Sequence, residues 1–201
     1  MERPLFNRLI FASVSRGTNL QTAQNNLRFN QPFDSVISQR PYLDHQKTDP
    51  LFQKLRYGNT FTHAETGCEI MAMYNVLKLT GHSVVYSHLV YQAETFRGAK
   101  MLRGRFGTNP YAMDNILRKN GSETILCLTA KELDRSMAVG AVAILSVWNH
   151  QRRIRCGLHT FAVQKNAAGL RWYNYQGHLE PTISDTLEKN HHAYIVGYIV
   201  K

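Results

Sequence analysis

One cysteine of this sequence precedes an apolar helical pattern instead of lying inside one. The stretch "HAETGCEIMAMYNVLKLTG" runs over residues 63–81 and places Cys68 where the pattern begins. A thiol is a strong nucleophile only as a thiolate, and a helix N-terminus lowers the pKa of a thiol through its dipole and unpaired N–H groups. Cys68 is therefore a candidate nucleophile, and its backbone N–H is a candidate oxyanion donor. Gly67 before it would let a substrate approach the backbone closely.

A nucleophilic thiol needs a base, which must come from elsewhere in the chain. Of nine histidines, only His159 heads a convincing strand, in "GLHTFAVQ". A hairpin follows, and if Gln164 pairs with Gly169, His159 faces Asn174 across the two strands. An amide in that place would orient the imidazole and fix its tautomer. A slip of one residue would put a neighbouring tyrosine there instead.

The other two cysteines are weaker candidates. Cys127, inside "TILCL", is expected in the core. Cys156, in "RRIRCGLH", has a cationic context that lowers a thiol pKa, but it lacks a helix and a third partner. Three cysteines cannot all pair within one chain, so we expect reduced thiols in a cytosol-like compartment.

The sequence offers no spacing typical of a metal site. It has neither a Cys-x2-Cys nor a His-Glu-x-x-His motif. His191 and His192 are adjacent, and adjacent residues of a strand point to opposite faces, so they would chelate a metal poorly. We expect neither a metal nor another cofactor.

The periodicity predicts helices first and an antiparallel sheet later, an α+β arrangement. One helix begins at Cys68 and ends before Gly81, another covers about 87–95, and a third lies between Pro110 and Gly121. A short helix closes on Gly140. The predicted strands are "ETILCLTA", "AVAILSVWN", "LHTFAVQ", "LRWYNYQ" and "AYIVGYIV".

Length and composition predict one domain with an extension. The 201 residues are 43% hydrophobic, which excludes a disordered chain. Residues 1–50 are rich in Asn, Gln, Arg and Ser and are weakly periodic, so we expect an N-terminal extension followed by a catalytic domain over 51–201. No apolar run approaches the roughly 20 residues of a membrane span. No classical signal peptide is expected, which predicts a protein that stays in the cytoplasm or is delivered from it by another route.

The net charge of +10 permits nucleic acid, an anionic membrane or an acidic protein as partner. The densest cluster of cations, in "RGAKMLRGRFGTNP", lacks interleaved aromatic residues, so no specific nucleic-acid site is predicted. The alternatives for this loop, residues 97–110, are a solvated surface loop or a lid that binds substrates with acidic residues. Its candidate substrate-binding cations are Arg97, Lys100, Arg103 and Arg105. Gly67, beside the thiol, is a further candidate for substrate binding.

The order of Cys68, His159 and Asn174 along the chain resembles that of the papain-like cysteine peptidase superfamily. The segments "GCEIMAMYNVLKLTG", "GRFGTNPYAMDNILRKNG", "GLHTFAVQ" and "WYNYQG" most resemble the bacterial C39-like branch, over roughly residues 58–178. The resemblance implies a helical half carrying the cysteine, packed on a sheet carrying the histidine and asparagine. It also implies hydrolysis of peptide or amide bonds through a thioester, with a peptide or protein as substrate.

The sequence departs from that branch at two positions. Where the family usually has an oxyanion-binding Gln about six residues before the cysteine, this chain has Thr62, and the oxyanion candidates are Asn59 and Thr62, with His63 less favoured. Glu69 stands where a Gly is usual, and a carboxylate beside a thiol raises its pKa unless it points away. Two alternatives remain: a protein-glutamine deamidase or transglutaminase-like effector with the same triad, and a non-catalytic binding module on this scaffold.

Overall fold

The fold is α+β, with an antiparallel sheet between helical layers. The computed structural model describes residues 4–15, 19–96, 100–151 and 157–201, so Arg97 and Cys156 lie outside the described residues. None of the helices in these ranges is long and apolar enough to span a bilayer. The helices are α1 (Pro4–Val14), α2 (Leu20–Asn30), α3 (Asp34–Ser38), α4 (Pro50–Lys54), α5 (His63–Thr66), α6 (Cys68–Leu79), α7 (Tyr86–Thr95), α8 (Met113–Lys119), α9 (Ala130–Ser136) and α10 (Ile183–Lys189).

Seven strands are described, in two sheets. They are β1 (Arg56–Tyr57), β2 (Phe61–Thr62), β3 (Thr124–Cys127), β4 (Val142–Trp148), β5 (Leu158–Asn166), β6 (Gly169–Tyr173) and β7 (Ala193–Val200). The first two form a small ribbon, and the other five form a sheet in the order β3-β7-β4-β5-β6, with every pair antiparallel. All five strands predicted from the sequence are therefore confirmed as strands of this sheet.

Helix α6 is the central helix of the larger core. It begins at Cys68, as predicted, and ends where Gly81 adopts a left-handed conformation with φ 82°. Every residue of this helix over 68–77 is buried. A helix that is covered on all sides has neighbours around its whole circumference. Here the sheet lies on one side, and helices from both the N-terminal segment and the middle of the chain lie on the others.

Strands β4, β5, β6 and β7 divide their side chains between two cores. Ile144 and Ala162 belong to the core that contains α6, whereas Leu145 and Phe161 belong to a second core with α9 and α10. Because successive residues of a strand point to opposite faces, residues 158, 160 and 162 of β5 face α6, and residues 159, 161 and 163 face the second core. Strand β5 is thus the boundary between two differently lined regions.

The hairpin between β5 and β6 has a different register from the one predicted. Asn166 pairs with Gly169, and Gln164 pairs with Arg171, so the connection has two residues where the sequence analysis expected four. The side chain of Asn166 accepts a hydrogen bond from the backbone N–H of Ala168 at 2.9 Å, an Asx turn that reverses the chain at once. His159 and Asn174 are consequently not a cross-strand pair.

The residues before position 51 share the core of the rest of the chain. Ile37 and Leu43 are 1% and 0% exposed and belong to the same cluster as α6. The Asn75 side chain in α6 both accepts from the Leu43 N–H at 2.7 Å and donates to the Leu43 carbonyl at 2.8 Å. Three helices form in this weakly periodic segment because it folds against an existing apolar surface. The domain boundary at residue 50 stays a prediction.

Candidate active site

Cys68 is the first residue of α6, and its side chain is only 6% exposed. It lines a cavity of about 250 Å³. Burial, and secondly the neighbouring Glu69, raise the pKa of the Cys68 thiol well above its ordinary value, although the backbone of Thr160 opposes the shift. The helix N-terminus was expected to favour the thiolate, but desolvation outweighs it in this conformation. The thiol described here is protonated.

Glu69, the residue after the cysteine, is a completely buried carboxylic acid. It is 0% exposed, and neither side-chain oxygen has a hydrogen-bond partner. Burial raises the pKa of Glu69 to about 8; the backbone N–H groups of Glu69 and Thr108 and the Cys68 thiol, all near the carboxyl but outside hydrogen-bond geometry, oppose the shift. A Cβ added to Gly107 would lie 2.4 Å from Glu69 Oε2, so only glycine fits against this carboxyl. Glu69 lines the same cavity as Cys68.

His159 and Asn174, predicted to act together, do lie together. The His159 Nε2–H donates to the backbone carbonyl of Asn174 at 2.9 Å, and Asn174 Nδ2 lies 3.4 Å from the same ring nitrogen. This contact is possible because Asn174 leaves β6 in a left-handed conformation with φ 62°, which Asn tolerates better than most residues. With Nε2 protonated, Nδ1 remains an acceptor. The pKa of His159 is lowered to about 4, chiefly by burial; the bond to the Asn174 carbonyl opposes the shift, and the nearby Lys47 and His192 add to it.

Two residues that the sequence analysis did not identify hold Asn174 in place. The Asn174 side chain accepts from the Gln46 N–H and donates to Gln46 Oε1, both at 3.0 Å. The Asn174 N–H donates to Asp44 Oδ1 at 2.9 Å, and Gln46 Nε2 donates to the carbonyl of His63 at 2.7 Å. Gln46 therefore connects the asparagine to the helix just before Cys68. Nothing in the pattern around residues 44–46 could have indicated this role.

The structure brings two of the three predicted triad residues together and places the third across β5. His159 and Asn174 line a cavity of about 340 Å³, whereas Cys68 lines the smaller one with Gly157 and Leu158. His159 is on the same face of β5 as Phe161, with ring centroids 4.6 Å apart. The thiol meets the other face, at the backbone of Thr160, the next residue along the strand. The residue that carries the imidazole and the residue that meets the thiol are thus neighbours in β5, but the imidazole and the thiol face different cavities.

The oxyanion candidates are positioned for other tasks. Asn59 is exposed, and its backbone N–H donates to the carbonyl of Arg103 at 3.3 Å. Thr62 begins α5, where both its N–H and its hydroxyl donate to Glu65 Oε2 at 2.8 and 3.1 Å. Neither residue lines the Cys68 cavity. The donors near the thiol are the backbone N–H groups of Glu69, at the beginning of α6, and of Thr160 in β5.

His63 and Gly67 have structural partners that explain their residue types. His63 is fully buried; it accepts from the Tyr86 hydroxyl at Nδ1 (3.0 Å) and donates from Nε2 to the Arg56 carbonyl (3.2 Å). Burial lowers the pKa of His63 to about 3, so the ring is neutral. A Cβ on Gly67 would lie 2.5 Å from His63 Nδ1, so this glycine permits the turn from α5 into α6. Its predicted substrate contact stays a prediction.

The predicted cationic cluster is dispersed. Lys100 is only 2% exposed, and its burial lowers its pKa, with Glu94 opposing. Arg103 is exposed and has a left-handed backbone, with φ 60°. Among the described members of the cluster, Arg105 alone lines the Cys68 cavity. The segment that carries these residues is attached to the body of the protein, since the Tyr57 hydroxyl and Thr108 Oγ1 lie 2.8 Å apart. Its described part borders the candidate site without forming a common basic surface.

The chemical groups on which the site rests are a buried thiol and a carboxyl without a hydrogen-bond partner at one cavity, and an imidazole bonded to the Asn174 backbone carbonyl at the next. Comparison with protein-family models, with curated proteins and with solved structures finds no match for this chain.

Proposed function

We propose that this protein is a papain-like cysteine hydrolase that acts on amide bonds of peptides or proteins. Cys68 is the nucleophile, His159 the base and Asn174 the residue that orients it. The observation that supports this assignment best is the tautomer of His159: Nε2–H donates to the backbone carbonyl of Asn174, which leaves Nδ1 to take a proton. The ring belongs to the strand whose next residue contacts the thiol.

The proposed reaction needs only these groups and water. His159 Nδ1 takes the thiol proton as the sulfur attacks the carbonyl carbon, and the imidazolium then protonates the leaving amine. The C–N bond breaks, and a thioester remains on Cys68. Water, deprotonated by the same ring, attacks the thioester, releases the carboxylic acid and restores the thiol. Backbone N–H groups at the start of α6 stabilise the negative oxygen in both steps.

The conformation described here is a resting one. Burial raises the thiol pKa and lowers the imidazole pKa, so both groups are neutral. Because they line different cavities, the His159 ring has to turn toward the thiol before proton transfer. A substrate that occupies the cleft at the beginning of β5 would favour that movement by binding the reactive arrangement more tightly.

Substitution of the nucleophile tests the assignment. A peptide library incubated with the protein should yield products, and Cys68→Ala or Cys68→Ser should abolish them while the fold is retained. Cys127→Ala is the matched control, because this thiol is also buried but lies in the second core. If Cys156→Ala abolished hydrolysis and Cys68→Ala did not, the assignment would be wrong.

The same triad could act on a side-chain amide, and intact-mass spectrometry separates the two reactions. Cleavage gives two fragments, whereas deamidation of Gln raises the mass of an intact substrate by about one unit, as expected for hydrolysis of the same type of acyl-enzyme. Both outcomes require Cys68.

A non-catalytic binding module is the second candidate, and the separation of thiol and imidazole into two cavities favours it. Such a module would retain a peptide equally well with Cys68 or Cys68→Ala and would release no product from it. Its thiol would react with iodoacetamide no faster than a free thiol, even with that peptide bound.

A further inference from the structure

The cavity beside Cys68 contains a polar group that the hydrolytic mechanism does not use. Its volume is about 250 Å³, and the residues that line it include Cys68, Glu69, Arg105, Phe106 and Gly107. Both oxygens of Glu69 are buried, and neither has a hydrogen-bond partner. Burial of an unpaired polar group costs stability, so an acid retained there without a partner indicates a ligand that supplies one.

The state of the Glu69 carboxyl restricts the kind of ligand. Burial raises the pKa of Glu69 to about 8, so the group is mainly a neutral acid at pH 7. A neutral carboxylic acid offers one O–H donor and one carbonyl acceptor side by side. A primary carboxamide has the complementary pair, an N–H donor and a carbonyl acceptor.

Charged ligands fit this cavity less well. A carboxylate can accept from the acid O–H but leaves the other Glu69 oxygen without a donor. An ammonium or guanidinium group would need an ionised Glu69 and would meet the like charge of Arg105 in the same lining. The carboxamide is the neutral group that satisfies both orphaned oxygens.

We propose that the Cys68 cavity is a specificity pocket in which Glu69 binds a primary carboxamide, the side chain of Gln or Asn in a peptide or protein substrate. This inference rests on the proposed function and names the substrate class of the same site. The ring of Phe106, 37% exposed, is placed to cover the methylene groups of such a side chain. Gly107 and Gly157 keep side chains out of the pocket wall.

Alkylation of Cys68 measures this recognition without requiring hydrolysis. Iodoacetamide carries a primary carboxamide one carbon from its reactive centre, iodoacetate carries a carboxylate, and N,N-dimethyliodoacetamide is neutral but has no N–H donor. In each case the S–C bond forms as the C–I bond breaks, iodide leaves and the thiol proton goes to solvent. Peptide mass spectrometry gives the rate at Cys68 separately from the other two cysteines, and each rate is divided by that of glutathione.

The pocket should favour iodoacetamide over both other reagents by about tenfold, the size expected for two neutral hydrogen bonds. Glu69→Gln keeps a donor and an acceptor and should keep most of this preference, whereas Glu69→Ala should reduce it to about one. Glu65→Gln is the matched control, because Glu65 lines the same cavity but its carboxylate is bonded to Thr62.

Other outcomes would overturn the proposal. An equal normalised rate for all three reagents, a preference for iodoacetate, or no alkylation of Cys68 at all would each show that the cavity does not bind a carboxamide. His159→Ala separates this result from the proposed catalysis, because it should abolish hydrolysis and leave the iodoacetamide preference unchanged. A preference without any hydrolysis would keep the pocket and remove the catalytic assignment. Hydrolysis without preference for Gln or Asn peptides over Leu peptides would keep the catalytic assignment and remove the pocket.

Discussion

Replacing Glu69 by Gln should make the protein more stable, and the gain should grow as the pH rises. Glu69 is 0% exposed, and its pKa lies near 8 where an ordinary glutamate has 4.5. In the unfolded chain the carboxyl loses its proton above pH 4.5, but in the folded protein it keeps the proton until about pH 8. The folded state is therefore favoured at low pH, and that contribution is lost as the pH rises from the unfolded to the folded pKa. Gln cannot ionise and lacks this dependence.

The size of the effect follows from the two pKa values. One pKa unit corresponds to about 1.4 kcal/mol. Relative to low pH, where Glu69 is protonated in both states, its ionisation in the unfolded chain lowers the free energy of unfolding of the wild type. The decrease is about 1.4 kcal/mol at pH 5.5 and about 4.6 kcal/mol at pH 8.5. The free energy of unfolding of Glu69→Gln, relative to wild type, should thus increase by about 3 kcal/mol between these pH values. Any packing change caused by the amide is the same at both and cancels.

Urea unfolding of wild type and variant at pH 5.5 and 8.5 measures this difference directly. Glu123→Gln, an exposed carboxylate on the surface, is the control and should show a difference close to zero. The reasoning would be refuted if the relative stability of Glu69→Gln were the same at both pH values, because Glu69 would then ionise like an exposed glutamate.

Three further substitutions test the packing around the site by urea unfolding. Gly107→Ala should lower the free energy of unfolding by at least about 2 kcal/mol more than Gly140→Ala. Both glycines have positive φ, but only a Cβ at position 107 meets atoms within 3 Å. Equal losses of stability would mean that the Glu69 carboxyl beside Gly107 moves freely. Thr160→Val should cost about 1–3 kcal/mol by leaving the hydroxyl of Ser146 buried without its 2.7 Å partner. Adding Ser146→Ala should recover part of that loss, and additive losses would contradict a direct bond. Asn174→Ala should cost about 2–3 kcal/mol through its lost side-chain hydrogen bonds. Asn174→Gly should lose the same bonds and regain only the stability that a Cβ costs in this left-handed backbone conformation.

Much of the architecture could be predicted because local signals and tertiary packing agree. Gly81 and Gly121 follow helices with positive φ, as their positions suggested, whereas α9 ends at Ser136, four residues before the Gly140 on which it was expected to close. The apolar runs of β4 and β7 are strands buried on both faces. The N-terminal helices gave no such signal, since α2 buries few residues and owes its place to contacts with α7. Tertiary contacts of this kind are not encoded in local periodicity.

The candidate site could be predicted only in its parts. The position of Cys68 at a helix start and the proximity of His159 to Asn174 follow from sequence patterns, and both are observed. The residue opposite His159 depends on the hairpin register, and a two-residue turn was mistaken for a four-residue one. The partners of Asn174 come from a segment more than a hundred residues earlier, and no rule based on spacing reaches that far.

The bond network between Gln46 and Asn174 also has a consequence for the order of folding. It joins residues separated by 128 positions, and Asn174, whose backbone carbonyl orients the imidazole, is fixed only when this loop closes. Contacts of such sequence separation form late, because the chain entropy lost on closure must be offset by structure already in place. The helix that bears the thiol can form locally, long before that. A partly folded chain would therefore carry the nucleophile without an oriented base, and the two halves of the site would be coupled only after the first and last parts of the protein have met.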